Sequence, residues 1–322
     1  MRALIPRIAF CVAALFGAAP AATAQTTLPK VIKIVVPFSP GASNDVIARA
    51  IAVPLAKRLD ITVIVENKPG AAGVIGADAV AKSPRDASVL LLTSSTFLTA
   101  AATQPQLPYD PIGTFAPVAM IGQGPLLLAV SSSTPYKTPA DVLAAARAKP
   151  GGLNYGSAGV GSIGHLATQL LDDAAKIQMT HVPYKGAANA VTDLASGQIQ
   201  VMLSSYSTLS PLIKAGKVKA LAVTSKHAHP AFADLPPLAA TVPGYAIDIW
   251  VGVLAPAGTA APLIERLNRE INEIAASPEL GTILEPDGTV PIPLSAATFA
   301  ARMKEELAQW KKIAADHKIV AE

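Results

Sequence analysis

Two stretches of this 322-residue chain follow one plan. In VIKIVVPFSPGASND, residues 31–45, an apolar run gives way to a loop of proline, glycine and serine, and then to an amphipathic segment. In NYGSAGVGSIGHLATQLLDDAA, residues 154–175, the same order returns. A strand, a small-residue turn and a helix start in that sequence belong to α/β sheets. Ligands of open α/β sheets sit beyond the carboxyl ends of the strands, where such loops lie. The first turn of a helix there presents free backbone N–H groups and the positive end of its dipole. The two stretches therefore predict an α/β chain with two loops suited to an anion.

The rest of the chain agrees with that class. Strands are expected over residues 31–36, 61–65 and 89–92, with helices over 45–59 and 76–81 between them. Val46, Ile47, Ala50, Ile51, Leu55 and Leu59 mark the inner face of the first helix, and Pro54 should kink it. This β-α-β-α-β order predicts a largely parallel sheet. Residues 105–117, rich in proline and turn formers, read as a surface connection. A second unit follows, with strands over 125–130, 154–157, 179–183, 200–203 and 219–224. Its helices are expected over 138–148, with Thr138 as cap and Pro139 in the first turn, after Gly164, and over 187–195. Two amphipathic helices close the chain, over 263–276 and 295–316, and this last third is expected to return to the first unit.

The amino terminus bounds where such a chain works. Arg2 and Arg7 precede an apolar stretch over residues 8–19, and Ala22-Thr23-Ala24 precede Gln25. That is the charged region, short apolar region and cleavage site of a secretory signal peptide spanning residues 1–24. The apolar stretch is short for an uncleaved membrane anchor. Cys11, the sole cysteine, falls inside the signal, so the exported chain has no disulfide and no thiolate for catalysis or metal. A hydrophobic share of 51% is ample for a buried core instead. The signal also holds two of the 26 basic residues, leaving the remainder close to neutral against 22 acidic ones. With no basic run interleaved with aromatics, nucleic acid is not an expected partner.

Within the second loop, Gly159, Gly161 and Gly164 spell G-x-G-x-x-G, the spacing of a dinucleotide fingerprint. NAD would need an acidic residue about 20 positions on, at the end of the next strand, to hold the ribose. That place falls at Tyr184 and Lys185. Lys185 suits a 2′-phosphate, so NADP passes this test, but export separates the chain from nicotinamide cofactors. No cofactor is expected. Nor is there a G-x-S-x-G elbow. His165 reads as a helix-start histidine and His181 as a core histidine in an apolar strand. His227 and His229 lack a third ligand for a metal. The pairs Asp172-Asp173 and Glu305-Glu306 read as solvated helix faces.

These residues carry a resemblance. VVPFSPGASNDVIAR, VENKPGAAGVIGADAVAKSPRD, LPYDPIGTFAPVA, LNYGSAGVGSIGHLA, HVPYKGAANAVTDLASGQIQVM, IKAGKVKALAVTS and WVGVLAPAGT follow one another in order. They resemble the tripartite tricarboxylate transporter substrate-binding proteins, also called Bug proteins. The resemblance implies a two-lobed α/β periplasmic binding protein of the type II, Venus-flytrap class with two hinge crossings. Residues 25–124 and 225–322 would form one lobe and 125–224 the other, crossing near residues 121–125 and 223–226. It also implies a monomeric, non-enzymatic receptor that captures a small di-, tri- or aromatic carboxylate. The receptor then delivers it to membrane transporter subunits.

Carried over by position, the first-lobe loop supplies Phe38, Ser39, Ala42, Ser43, Asn44 and Asp45, with Ser94 and Ser95 on the same wall. The second lobe supplies Ser157, Ala158, Gly159, Gly161 and Ser162, with Tyr184 and Lys185 at the next strand end. One departure stands out. Many relatives carry F-D-N-x-P after the strand that ends here at Met202, whereas this chain reads Leu203, Ser204, Ser205, Tyr206 and Ser207. An aspartate there would pair with a ligand ammonium. Ser204 removes that charge, which disfavours an amino acid, and Tyr206 offers an aromatic wall. Two other functions remain open on sequence alone: an exported reductase or hydrolase using the same cleft, and a binding protein that signals through a receptor.

Overall fold

The computed structural model describes residues 27–184 and 186–321, so the expected signal peptide and Lys185 lie outside the described residues. The chain begins with β1 (Val31–Val36), α1 (Ser43–Leu59), β2 (Thr62–Asn67), α2 (Val74–Ala81), β3 (Val89–Ser94) and α3 (Thr96–Thr103). In β1, Ile32, Ile34, Val35 and Val36 are all buried, which requires cover on both faces. The strand accordingly lies between β2 and β3 and is parallel to both.

A long strand β4 (Phe115–Pro125) then leads into β5 (Leu127–Ser131), α4 (Pro139–Ala148), β6 (Asn154–Ser157), α5 (Ile163–Ala175) and β7 (Thr180–Pro183). Next come α6 (Ala187–Ser196), β8 (Val201–Ser204), α7 (Tyr206–Lys214) and β9 (Val218–Val223). The chain returns through β10 (Asp248–Pro256), α8 (Ala261–Ala275), α9 (Pro278–Leu284), β11 (Val290–Pro291) and α10 (Ala296–Asp316). Two sheets result, ordered β11-β4-β10-β3-β1-β2 and β7-β6-β8-β5-β9. This is the two-lobed α/β architecture, with helices over both sheets.

The first sheet is mixed rather than largely parallel. Strand β10 enters between β3 and β4 and runs antiparallel to each. The expected surface connection also differs, because Phe115, Ala116 and Pro117 belong to β4. The rings of Tyr109 and Phe115 pack on Phe97, at centroid distances of 5.9 and 5.2 Å, so this segment is core. Helix α1 runs through Pro54 as one element, and Val46 faces solvent while Ala48 and Ala52 are buried in its place. Thr138 caps α4 through a reciprocal capping box with Asp141, as its sequence suggests.

The chain crosses between sheets at Leu126 and at Thr224. These passes are tied together. Leu126 N–H donates to Thr224 Oγ1 at 2.8 Å, Thr224 N–H donates to Leu126 O, and the Thr224 hydroxyl donates to Ile247 O. One side chain thus joins both crossings to the strand that re-enters the first sheet.

Candidate functional site

Helix starts converge here on one geometry. The residue before α1, Ala42, has φ/ψ of −68°/158°; Ser162 before α5 has −67°/156°; Ser205 before α7 has −67°/152°. None of the three makes a side-chain capping bond. Ala42 has no group to offer. Ser162 turns its hydroxyl back to Gly159 O at 2.7 Å, and Ser205 shares its own with Ser207 and Thr208. The first amides of α1 and α5 therefore lack the acceptor that a cap would supply, whereas at α7 the Ser207 N–H finds one in Asp287.

The loops before α1 and α5 are matched in detail. Gly41 and Gly161 precede the caps with φ of +80° and +79°, a backbone open chiefly to glycine. The Gly41 N–H donates to Asp45 Oδ2 at 2.9 Å, and the Gly161 N–H donates to His165 Nδ1 at 3.3 Å. Each loop is thus folded down by the side chain of the third helical residue. The amides of Ser43 and Asn44, and of Ile163 and Gly164, stay clear of these bonds.

Asp45 is wholly engaged in this support. Asn67 and Arg49 donate to Oδ1 at 2.9 and 3.0 Å, and Gly41 and Arg49 donate to Oδ2. Burial pushes its carboxyl up, but the bonds from Arg49, Gly41 and Asn67 outweigh it and hold the group below the usual range. Asp45 therefore positions the loop.

Phe38 offers its carbonyl to Asn67 and packs partly on the core, while Ser39 is exposed. Asn44 is only 8% exposed and its side chain bonds to no other described residue; Ser204, at 7%, is alike. Ser94 lies half-buried at the end of β3. Ser95 turns inward, its hydroxyl accepting from Trp250 N–H at 3.0 Å, so it belongs to the sheet.

In the second loop Ala158 is exposed and Gly159 half-buried. Ser157 is buried and shares a 2.7 Å hydrogen bond with His181 Nε2. His181 in turn stacks on His165 with ring centroids 3.8 Å apart. Burial lowers His165 to about 4, with help from His317, and His181 to about 3, with help from His165. Both rings are neutral supports at neutral pH, in keeping with the sequence reading. The Tyr184 hydroxyl donates to Asp193 at 2.7 Å, and the Tyr206 ring packs on Phe232 at 5.5 Å.

Two carboxylates expected on solvated helix faces are largely buried. Asp172 is 3% exposed, accepts from Met179 N–H at 2.8 Å, and is raised by burial to about 7. Glu306 accepts from the indoles of Trp250 and Trp310 at 2.8 and 3.1 Å, and burial raises it as well. A residue that the sequence reading missed entirely is Asp287, in the turn after α9. Its carboxylate accepts from Ser43 Oγ at 2.9 Å and from Ser207 N–H at 2.5 Å. A cavity of about 270 Å³ opens elsewhere, lined by Asp248, Arg302 and Glu305. It touches none of the loop donors, so the candidate site is the pair of loops.

Residues 47–319 match the family model described as the tripartite tricarboxylate transporter family receptor. The chain is 32% identical to the protein BugT of Bordetella pertussis, over 91% of each. Among solved structures it is similar to Rpa4515 of R. palustris with adipate, at 33% identity and a TM-score of 0.83, covering 90% of this chain and 98% of that one. It is also similar to the periplasmic binding protein BugD, at 28% identity and a TM-score of 0.80, with the same two coverages. BugD is a periplasmic binding protein, and the matching family is one of solute receptors rather than enzymes. The chain belongs to the tripartite tricarboxylate transporter receptor family.

Proposed function

We propose that this receptor captures a small organic carboxylate between the starts of α1 and α5 and delivers it to membrane subunits of a tripartite transporter. The observation that carries the reading is the matched pair of helix starts, each with a glycine at φ near +80° and no side-chain cap. A carboxylate accepting from such amides forms charge-assisted bonds, roughly twice as strong as neutral ones. Asn44 and Ser204, nine-tenths buried with no described partner, add donors beside them. Adipate in Rpa4515 supports the ligand class.

In this reading residues 25–124 and 225–322 act as one lobe and 125–224 as the other. Residues 1–24 direct export and are removed, and the receptor works as a monomer. The ligand lacks an amino group, because Ser204 stands where an acid would pair with one.

The test is Ser43→Asp, which places an anion in the first turn of α1. Calorimetry across mono-, di- and aromatic carboxylates should find binding to the parent and none to the variant. Equal affinities would sink the assignment.

A further inference from the structure

Of the three helix starts that share this geometry, those of α1, α5 and α7, one already holds an anion. Asp287 sits in the 3-10 turn Glu285–Asp287, on the segment joining α9 to β11. Its Oδ1 accepts from the N–H of Ser207, the second residue of α7, and its Oδ2 from the hydroxyl of Ser43, the first residue of α1. Both elements follow the carboxyl ends of strands, β8 in the second sheet and β1 in the first. The acid therefore spans the two lobes at the cleft.

Its position is fixed from both sides. Strand β11 pairs with β4 through Val290 and Pro291 just after the turn. Gly288, next to the acid, has φ of +63°, and a Cβ there would lie 2.6 Å from Phe232 Cε2. The turn is thus pressed against Phe232, whose ring packs on Tyr206 at the start of α7.

We propose that Asp287 is a specificity-determining residue that restricts the receptor to ligands with one carboxylate. The inference rests on the carboxylate reading above. Asp287 takes the start of α7 and the Ser43 hydroxyl, so that of these three helix starts the amides opening α1 and α5 remain for the ligand, and any further carboxylate arrives beside the charge of Asp287. A second carboxylate on the ligand has two routes. It must displace Asp287 from its donors, or lie beside a like charge at a partly buried place, where repulsion is screened less than in open water. A neutral second end, polar or aromatic, meets neither cost.

The experiment is calorimetry of the parent, Asp287→Asn and Asp287→Ala with two pairs of probes. Adipate is set against its monomethyl ester, and phthalate against benzoate, so that each pair differs chiefly by one charge. The parent should prefer the single-charge member of a pair at least tenfold. In both variants that ratio should fall at least tenfold, chiefly through tighter binding of the diacid. A parent that prefers the diacid, or a ratio unchanged in the variants, overturns the role of Asp287 and leaves the carboxylate site standing. Weaker binding of both members by one common factor means that Asp287 only latches the lobes, and likewise overturns it. Absence of binding by all four probes to all three proteins overturns this inference together with the reading beneath it.

Discussion

At the third position of α1 and of α5, Asp45 and His165 accept the N–H of the glycine four residues before. One is an anion and the other a neutral ring, so acid acts on them differently. The folded state lowers His165 from 6.5 to about 4 and His181 to about 3. Stability from the two neutral rings is complete above pH 6.5 and is lost as pH falls through about 4 and then 3. Asp172 has the opposite sign. Burial raises it from 3.8 to about 7, so its contribution is complete below 3.8 and is lost as pH rises through about 7. In Asp172→Asn the opposing slope disappears, and the melting temperature should fall more steeply than in the parent between pH 6.5 and 4. Superimposable curves from the two proteins, followed by circular dichroism, would refute the assignment. The sequence allowed His165 and His181 to be read as supports, since one opens a helix and the other interrupts an apolar strand. Asp172 was not legible in that way. Its neighbour Asp173 is exposed on the same helix, and the burial of Asp172 comes from the chain beyond Lys176, which local spacing does not encode.

Elements that follow a regular period were legible, and those built on irregular pairing were not. The apolar faces expected for α8 and α10 are buried throughout, from Leu263 to Ile274 and from Phe299 to Trp310. Strand β4 was missed in part because Pro117 reads as a breaker. The strand accommodates it where the register with β10 shifts, beside Leu254, so no ladder bond is asked of it. Strand β11 has only two residues, too few for any pattern. The glycine loops were legible as helix entrances, whereas Asp287, distant in sequence and carried by a short turn, was not. Helix α10 yields a prediction of its own. Glu306 takes the N–H of Trp250 on β10 and of Trp310 on α10, binding the helix to the first sheet. Replacing it by Ala leaves two indole donors without a partner, at a cost of about 1–3 kcal/mol each where buried. Glu306→Ala should therefore lower stability by about 2 kcal/mol or more in urea denaturation. An unchanged midpoint would show that the indoles find water instead.

Across the whole molecule, the two lobes meet where Gly161 faces α3. A Cβ at residue 161 would lie 2.1 Å from Thr103 Oγ1, and the glycine already holds a φ of +79°. Thr103 has little room to retreat. Its hydroxyl is bonded to Thr99 O at 3.0 Å and its carbonyl accepts from Ala321 N–H. Gly161→Ala should hold the lobes apart, seen as a larger radius of gyration in solution scattering and as ligand affinity weaker by about tenfold or more, which is about 1.4 kcal/mol. Parent-like scattering and affinity would show that closure does not need this contact. The uncapped helix starts have a wider consequence. A side-chain cap is worth about 1 kcal/mol to a helix; α1 forgoes it with Ala42, and α5 forgoes it because the Ser162 hydroxyl turns to Gly159 O. Stability given up by the empty receptor becomes energy available on capture, so its durability and its grip on solute are one quantity divided between two states. A cap added to strengthen the fold would be taken from the solute's share.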